Sequence, residues 1–128
     1  MGRVISSVRI SNVTDPESSV LCDALVDTGA ALMVLPKAWR PRLGELASSE
    51  MVDFETATQD SVQAEVCGPV RIQLDGFRPI FSEVAFVDMH PEGGVYEPLI
   101  GYIVLEQSLA AVDLVGHRLL HVKHLDLK

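Results

Sequence analysis

From Val62 to Leu74 the chain alternates. Val62, Ala64, Val66, Val70, Ile72 and Leu74 share one parity, and Gln63, Glu65, Cys67, Arg71 and Gln73 share the other. A period of two puts successive side chains on opposite faces of an extended strand, and no helix satisfies it. Gly68-Pro69 falls inside the pattern and predicts a bend or bulge between two strand segments, because proline cannot donate to a ladder. Asp75-Gly76 is a tight-turn pair, which makes Pro79 to Asp88 the returning strand. On the other side, Thr58-Gln59-Asp60-Ser61 is polar and reads as a hairpin tip after a strand from Met51 to Thr58.

The rest of the chain reads the same way. Arg3 to Asn12 alternates loosely and is a first strand. Thr14 to Ser18 is turn chemistry around Asp15-Pro16. Val20 to Val26 is the second strand and Ala31 to Leu35 a third, and the runs Ala24-Leu25-Val26 and Ala30 to Leu35 are of the kind buried on both faces of a sheet. Pro36 opens a short helix, Lys37 to Leu46, which Pro41 and Gly44 cut short. Pro98 to Gly101 is a short apolar segment, and Tyr102 to Ala110 is a second helix. Ala111 to Leu114 and Arg118 to Leu125 form a hairpin around Val115-Gly116-His117. The expectation is one domain over residues 1–128, all-β with one or two short helices. Its roughly nine short strands form a closed or folded-over sheet.

Composition narrows the function. Apolar residues make up 48% of the chain and aromatics 5%, so the core is built from Val, Leu, Ile and Ala. A formal charge of -8 argues against nucleic acid and anionic membranes, which attract basic surfaces. No apolar run reaches membrane-spanning length. Two cysteines, Cys22 and Cys67, and an N-terminus without a secretory apolar segment point to a reducing cytoplasm. His90, His117, His121 and His124 read as solvated. His121 and His124 fall on opposite strand faces, so no metal site is expected. Trp39 reads as a packing anchor.

One acid does not fit a packing pattern. Asp27 follows Ala24-Leu25-Val26 and precedes Ala30 to Leu35, with Thr28 and Gly29 making the turn. A carboxylate carried into apolar surroundings costs several kcal/mol unless protonated, paired or hydrogen-bonded. Asp-Thr-Gly alone arises by chance in roughly 2–3% of chains this long, so its context decides. That context is Val-Leu-Pro closing the next strand and, further on, Pro98-Leu99-Ile100-Gly101 leading into a helix that contains Leu105.

With both motifs on one chain, the sequence resembles the retropepsin-like aspartic proteases, in particular the small prokaryotic single-lobe type. The resemblance covers nearly the whole chain in order and spacing. It implies an acid-protease lobe working as a symmetric homodimer, because one Asp-Thr-Gly supplies one carboxylate and the site needs two. It implies Asp27 as the catalytic residue and Thr28, Gly29, Ala30, Ile100 and Gly101 as its support. Thr28 would bond across the two-fold axis, and Gly101 would pack beneath the Asp27 turn. Thr58, Gln59, Asp60 and Ser61 would form the flap over substrate. The implied reaction is peptide hydrolysis by water held between two Asp27 carboxyls, on a peptide or unfolded protein and with no cofactor or metal.

Three departures from the family pattern bear on this, one being that Ala31 stands where a hydroxyl or acid is common. Flap tips of the family carry glycine, and Gln59-Asp60-Ser61 has none. Ala30 offers no hydroxyl to the carboxylate, so a mildly acidic pH optimum is expected. The alternative from another class is a dimeric retropepsin-like module that binds a peptide or protein without cutting it. A third is a β-barrel-like structural domain whose Asp-Thr-Gly is a buried turn. Which of Val34, Val66, Phe86 and Ile100 faces the cleft is left open by the sequence.

Overall fold

The structure is a computed structural model that describes residues 3–55, 59–91 and 93–123. It contains β1 (Ile5–Asn12), β2 (Ser19–Val26), β3 (Met33–Pro36), a 3-10 turn (Lys37–Leu43) and β4 (Ser48–Glu55). There follow β5 (Ser61–Leu74), β6 (Ile80–Val87), β7 (Leu99–Ile100), helix α1 (Tyr102–Gln107), β8 (Ala110–Asp113) and β9 (Arg118–His121).

Seven strands form one sheet in the order β1-β2-β7-β3-β6-β5-β4, and β1 pairs additionally with β5. The pairings therefore return to their start through β5, which folds the sheet over on itself. Strand β7 contributes two residues to this circuit, so the wall is thin there and the closure is not a regular barrel. Strands β8 and β9 form a separate hairpin.

The alternating stretch does the joining. The first half of β5 pairs with β4, from Glu55 opposite Ser61 to Ser48 opposite Gly68. Its second half pairs with β1, from Val70 opposite Asn12 to Leu74 opposite Val8. The register against β6 shifts between Cys67 and Val70, at the expected bulge, where the Gly68–Pro69 peptide is cis. Bulges bend a strand and increase its twist, which lets one strand serve two parts of a folded sheet.

The enclosed side chains are mainly aliphatic: Val8, Ile10, Met33, Leu35, Ile72 and Leu74 are all at 1% exposure or less, and Phe86 is the large aromatic among them. Burying each such side chain contributes about 1.5–3 kcal/mol. Asn12 is buried although polar, as are Ser11 and Ser108. Its Nδ2 donates to the carbonyls of Leu43 and Glu45, each at 2.7 Å, and its Oδ1 accepts from the backbone N–H and hydroxyl of Thr14, both at 3.0 Å.

Several expectations shift. The run Ala24-Leu25-Val26 is not buried on both faces: Ala24 is at 1% exposure, but Leu25 and Val26 are only half-buried. The third strand begins at Met33 rather than Ala31, because Ala30 and Ala31 spend their carbonyls on helix α1. The first helix is a 3-10 turn ending at Leu43, since Pro41 lies inside it and Gly44 follows at φ 66°. Strand β4 starts at Ser48, three residues before Met51. Helix α1 stops at Gln107, because Leu109 adopts φ 58° and Ala110 already belongs to β8. The last strand ends at His121, with Val122 and Lys123 already beyond it, short of the expected Leu125; Thr58 and His124 lie outside the described residues.

Candidate active site

The Asp27 turn is held from beneath by β7. This two-residue strand lies between β2 and β3, parallel to β2 (Leu25 opposite Leu99, Val26 opposite Ile100) and antiparallel to β3 (Val34 opposite Leu99). Asp27 donates its backbone N–H to the carbonyl of Ile100 at 2.9 Å, and Leu25 donates to Pro98 at 2.9 Å. The chain reverses through Thr28 and Gly29, and the N–H of Ala30 returns to the carbonyl of Asp27 at 3.1 Å. Two distant segments are thereby locked at one point.

Helix α1 starts against the same turn. It has no side-chain N-cap. Its first amides find carbonyls in the Asp27 loop instead: Tyr102 N–H to Ala30 at 2.8 Å, and Ile103 N–H to Ala31 at 3.0 Å. Backbone groups at a helix start must be satisfied from outside the helix. Gly101 makes this approach possible, because a Cβ there would meet the carbonyl of Leu32 and lie 2.5 Å from the carbonyl carbon of Ala31.

Asp27 is half-buried in the single chain, and Thr28 and Gly29 are exposed. The Asp27 Oδ1 accepts from the N–H of Gly29 at 2.9 Å. A Cβ at Gly29 would stand 3.1 Å from the same oxygen, so glycine suits the close approach of backbone to carboxylate. The acid that looks stranded in the sequence has a hydrogen bond and access to solvent.

Beside the turn lies a groove of about 470 Å³. Gly29, Ala30, Ala31 and Leu32 form one side of it. Val34, Leu99 and Tyr102 continue that wall, and Ala85 and Val87 on β6 also line it. The β4–β5 hairpin adds Phe54, Glu55 and Val62. Of the four side chains left open by the sequence, Val34 lines the groove. Val66, Phe86 and Ile100 are buried at 4% exposure or less and are absent from its lining.

The structure thus brings Asp27, Thr28, Gly29, Ala30, Ile100 and Gly101 to one place. Gln59, Asp60 and Ser61 lie where β4 turns into β5 and are not among the lining residues. Gln59 has φ 66°, the left-handed conformation in which a glycine sits freely. The base of the hairpin is pinned to the body. Glu65 accepts from the Ser49 hydroxyl at 2.6 Å and faces Arg40 Nε at 3.5 Å. The Ser49 hydrogen bond, helped by Arg40, holds the Glu65 carboxyl below its usual 4.5. Burial, with Asp23 beside it, pushes the Cys22 thiol up to about 11, and Cys22 and Cys67 are both free.

The sequence reading missed Leu32, Phe54, Glu55, Val62, Ala85, Val87, Leu99 and Tyr102 as groove residues. Parity alone marks Val62, Ala85 and Val87 as strand residues, but which face meets the Asp27 turn depends on the crossing of β6 and β7 around β3.

The same architecture occurs in a solved protease. EIAV protease complexed with the inhibitor HBY-793 superposes with a TM-score of 0.60 over 88% of this chain and 93% of that one, at 22% identity. The chain has the retropepsin fold. A retropepsin-like aspartic protease from Rickettsia conorii also aligns, over 88% of this chain and 89% of its own, with a TM-score of 0.43 and 19% identity. No protein-family model matches the sequence, and no curated protein does. In this retropepsin fold, no helix among the described residues is long and apolar enough to cross a membrane.

Proposed function

We propose that the protein is an aspartic endopeptidase that works as a symmetric homodimer, with one Asp27 from each chain. The observation that carries the reading is the Asp27 turn itself. Asp27 is half-buried, its backbone N–H held by the Ile100 carbonyl and its carboxylate by the Gly29 N–H, with an apolar groove adjoining. The retropepsin fold supports the reading, and so does the exposure of Thr28 and Gly29, which leaves the turn open to a second copy.

The chemistry follows from pairing two carboxyls. Like charges a few ångströms apart do not both ionise, so the pair shares one proton. The ionised member takes a proton from a water molecule, whose oxygen attacks the peptide carbonyl. The protonated member donates to the carbonyl oxygen as negative charge develops there. Collapse of the tetrahedral species, with protonation of the leaving nitrogen, breaks the C–N bond and regenerates the shared proton. No covalent intermediate and no cofactor are needed. Thr28 would tie the two turns together across the axis. The β4–β5 hairpin, with Gln59, Asp60 and Ser61, would close over the substrate and exclude water. The substrate is an extended peptide or unfolded protein. The free thiols of Cys22 and Cys67 suit a cytoplasmic setting.

A second reading is favoured by the hairpin tip. Gln59 takes a conformation natural to glycine, so closure over substrate is altered, and the dimer would bind peptides without turning them over. Incubation with an unfolded protein between about pH 4 and 7 separates the two. The endopeptidase reading expects cleavage with a bell-shaped, mildly acidic pH profile, lost in Asp27→Asn while the dimer persists by sedimentation. Equal cleavage by Asp27→Asn, or a strictly monomeric wild type, overturns it.

A further inference from the structure

The groove beside the Asp27 turn has apolar walls and one carboxylate. Leu32, Val34, Val62, Ala85 and Leu99 line it, and Glu55 is the one charged residue among its described lining. Glu55 ends β4, opposite Ser61, and is exposed, so its carboxylate stays in contact with water at the groove's edge. The segment that carries it has charge of a single sign. Between Arg42 and Arg71 stand Glu45, Glu50, Asp53, Glu55, Asp60 and Glu65, with no Lys or Arg. Glu65 is engaged by Arg40 and Ser49 at the hairpin base, away from the groove lining. The carboxylate at the groove's edge attracts a cationic side chain and repels an anionic one.

An extended peptide presents residues i and i+2 on the same side, about 7 Å apart. Ala30 and Glu55 line the same groove, so an extended peptide with an apolar side chain beside Ala30 presents its next same-side residues along the wall that carries Glu55. We infer that Glu55 is a specificity-determining residue that selects segments with Lys or Arg two positions from an apolar residue. The inference rests on reading the groove as the peptide cleft. Glu55 acts on binding and touches no reacting bond. An exposed ion pair of this kind changes affinity about three- to fivefold, less at high salt.

The test uses the full chain carrying Asp27→Asn, so that peptides are held and not cut. It is exposed to a bead-displayed library of short random peptides, and the retained sequences are read at low and high salt. Lys and Arg are expected about three- to fivefold above library frequency two positions from an apolar residue, fading with salt. Adding Glu55→Gln removes the basic enrichment and keeps the apolar one, and Glu55→Lys replaces it with acidic residues. Apolar selection without basic selection overturns the inference, as does basic selection that survives Glu55→Gln. Failure to retain any peptide overturns the peptide cleft and the inference with it. Retention with the expected pattern, in a protein whose wild type cuts nothing, supports the inference and sinks the endopeptidase reading alone.

Discussion

Gly101 stands so close to Ala31 that a single added carbon at 101 would lie 2.5 Å from the Ala31 carbonyl carbon. The contact is backbone against backbone, so no side-chain rotation relieves it. It joins the segment bearing Asp27 to the segment that begins helix α1, residues far apart in sequence. Gly101→Ala is expected to destabilise the fold by about 3 kcal/mol, the upper end of the range for overpacking. Urea denaturation measures this, and a loss below about 1 kcal/mol would show that the Asp27 loop relaxes away from α1.

Gln59 at φ 66° makes a second, opposite case. The left-handed conformation costs an L-residue about 1–2 kcal/mol, and glycine escapes this but loses more chain entropy on folding. Gln59→Gly is therefore expected to leave stability nearly unchanged, while Gln59→Val, branched at Cβ, lowers it by about 1 kcal/mol or more. Thermal melts of the two variants decide it: equal melting temperatures would mean that the tip does not hold this conformation.

The pinned base of the hairpin gives a pH dependence whose sign is set by Glu65. Its carboxyl is held below 4.5 by Ser49 and Arg40 in the folded protein. A lowered folded value stabilises above the unfolded value and ceases to do so as pH falls through the folded one. Glu65→Gln is expected to cost about 1 kcal/mol at neutral pH, with the difference from wild type vanishing as pH drops below 4.5. Stability curves for the two proteins across that range check it. A difference that persists unchanged in acid would assign the effect to shape rather than charge.

Asn12 is 5% exposed and uses both ends of its side-chain amide. Asn12→Asp keeps the shape but turns the Leu43 and Glu45 carbonyls, now facing donors, toward an oxygen. The expected loss is about 2–3 kcal/mol, more than for removal of one ordinary hydrogen bond. Protonation of the new carboxyl restores one donor, so the penalty should shrink in acid. A variant as stable as wild type at neutral pH would rule out the two carbonyl contacts.

Much of the architecture is legible in the chain. The parity of Val62 to Leu74 marks β5, Gly68-Pro69 marks its bulge, and Asp75-Gly76 marks the turn to β6. These are local properties, carried by period-two burial and by backbones that cannot bond in a ladder. The grouping of Asp27, Gly29 and Gly101 was also readable, because two motifs of a known resemblance point to it. The groove was not. Ala85 and Val87 reach it because β6 runs parallel to β3, and Glu55 reaches it because the β4–β5 register sets it opposite Ser61. The four hydrogen bonds of Asn12 were equally hidden, since an Asn before a turn looks the same whether or not its amide finds carbonyls thirty residues on.

Alternation, glycine and proline act within a few residues of themselves, so the strands, the turns and the single Asp-Thr-Gly are written in the chain. Only the tertiary structure decided that Asp27 is half-buried and hydrogen-bonded rather than stranded in a core. The reason is that its surroundings come from β7, some seventy residues later, threaded between β2 and β3. The tertiary structure also decided that the groove beside it ends in a carboxylate, because its lining is assembled from strands whose order in space is not their order in the chain.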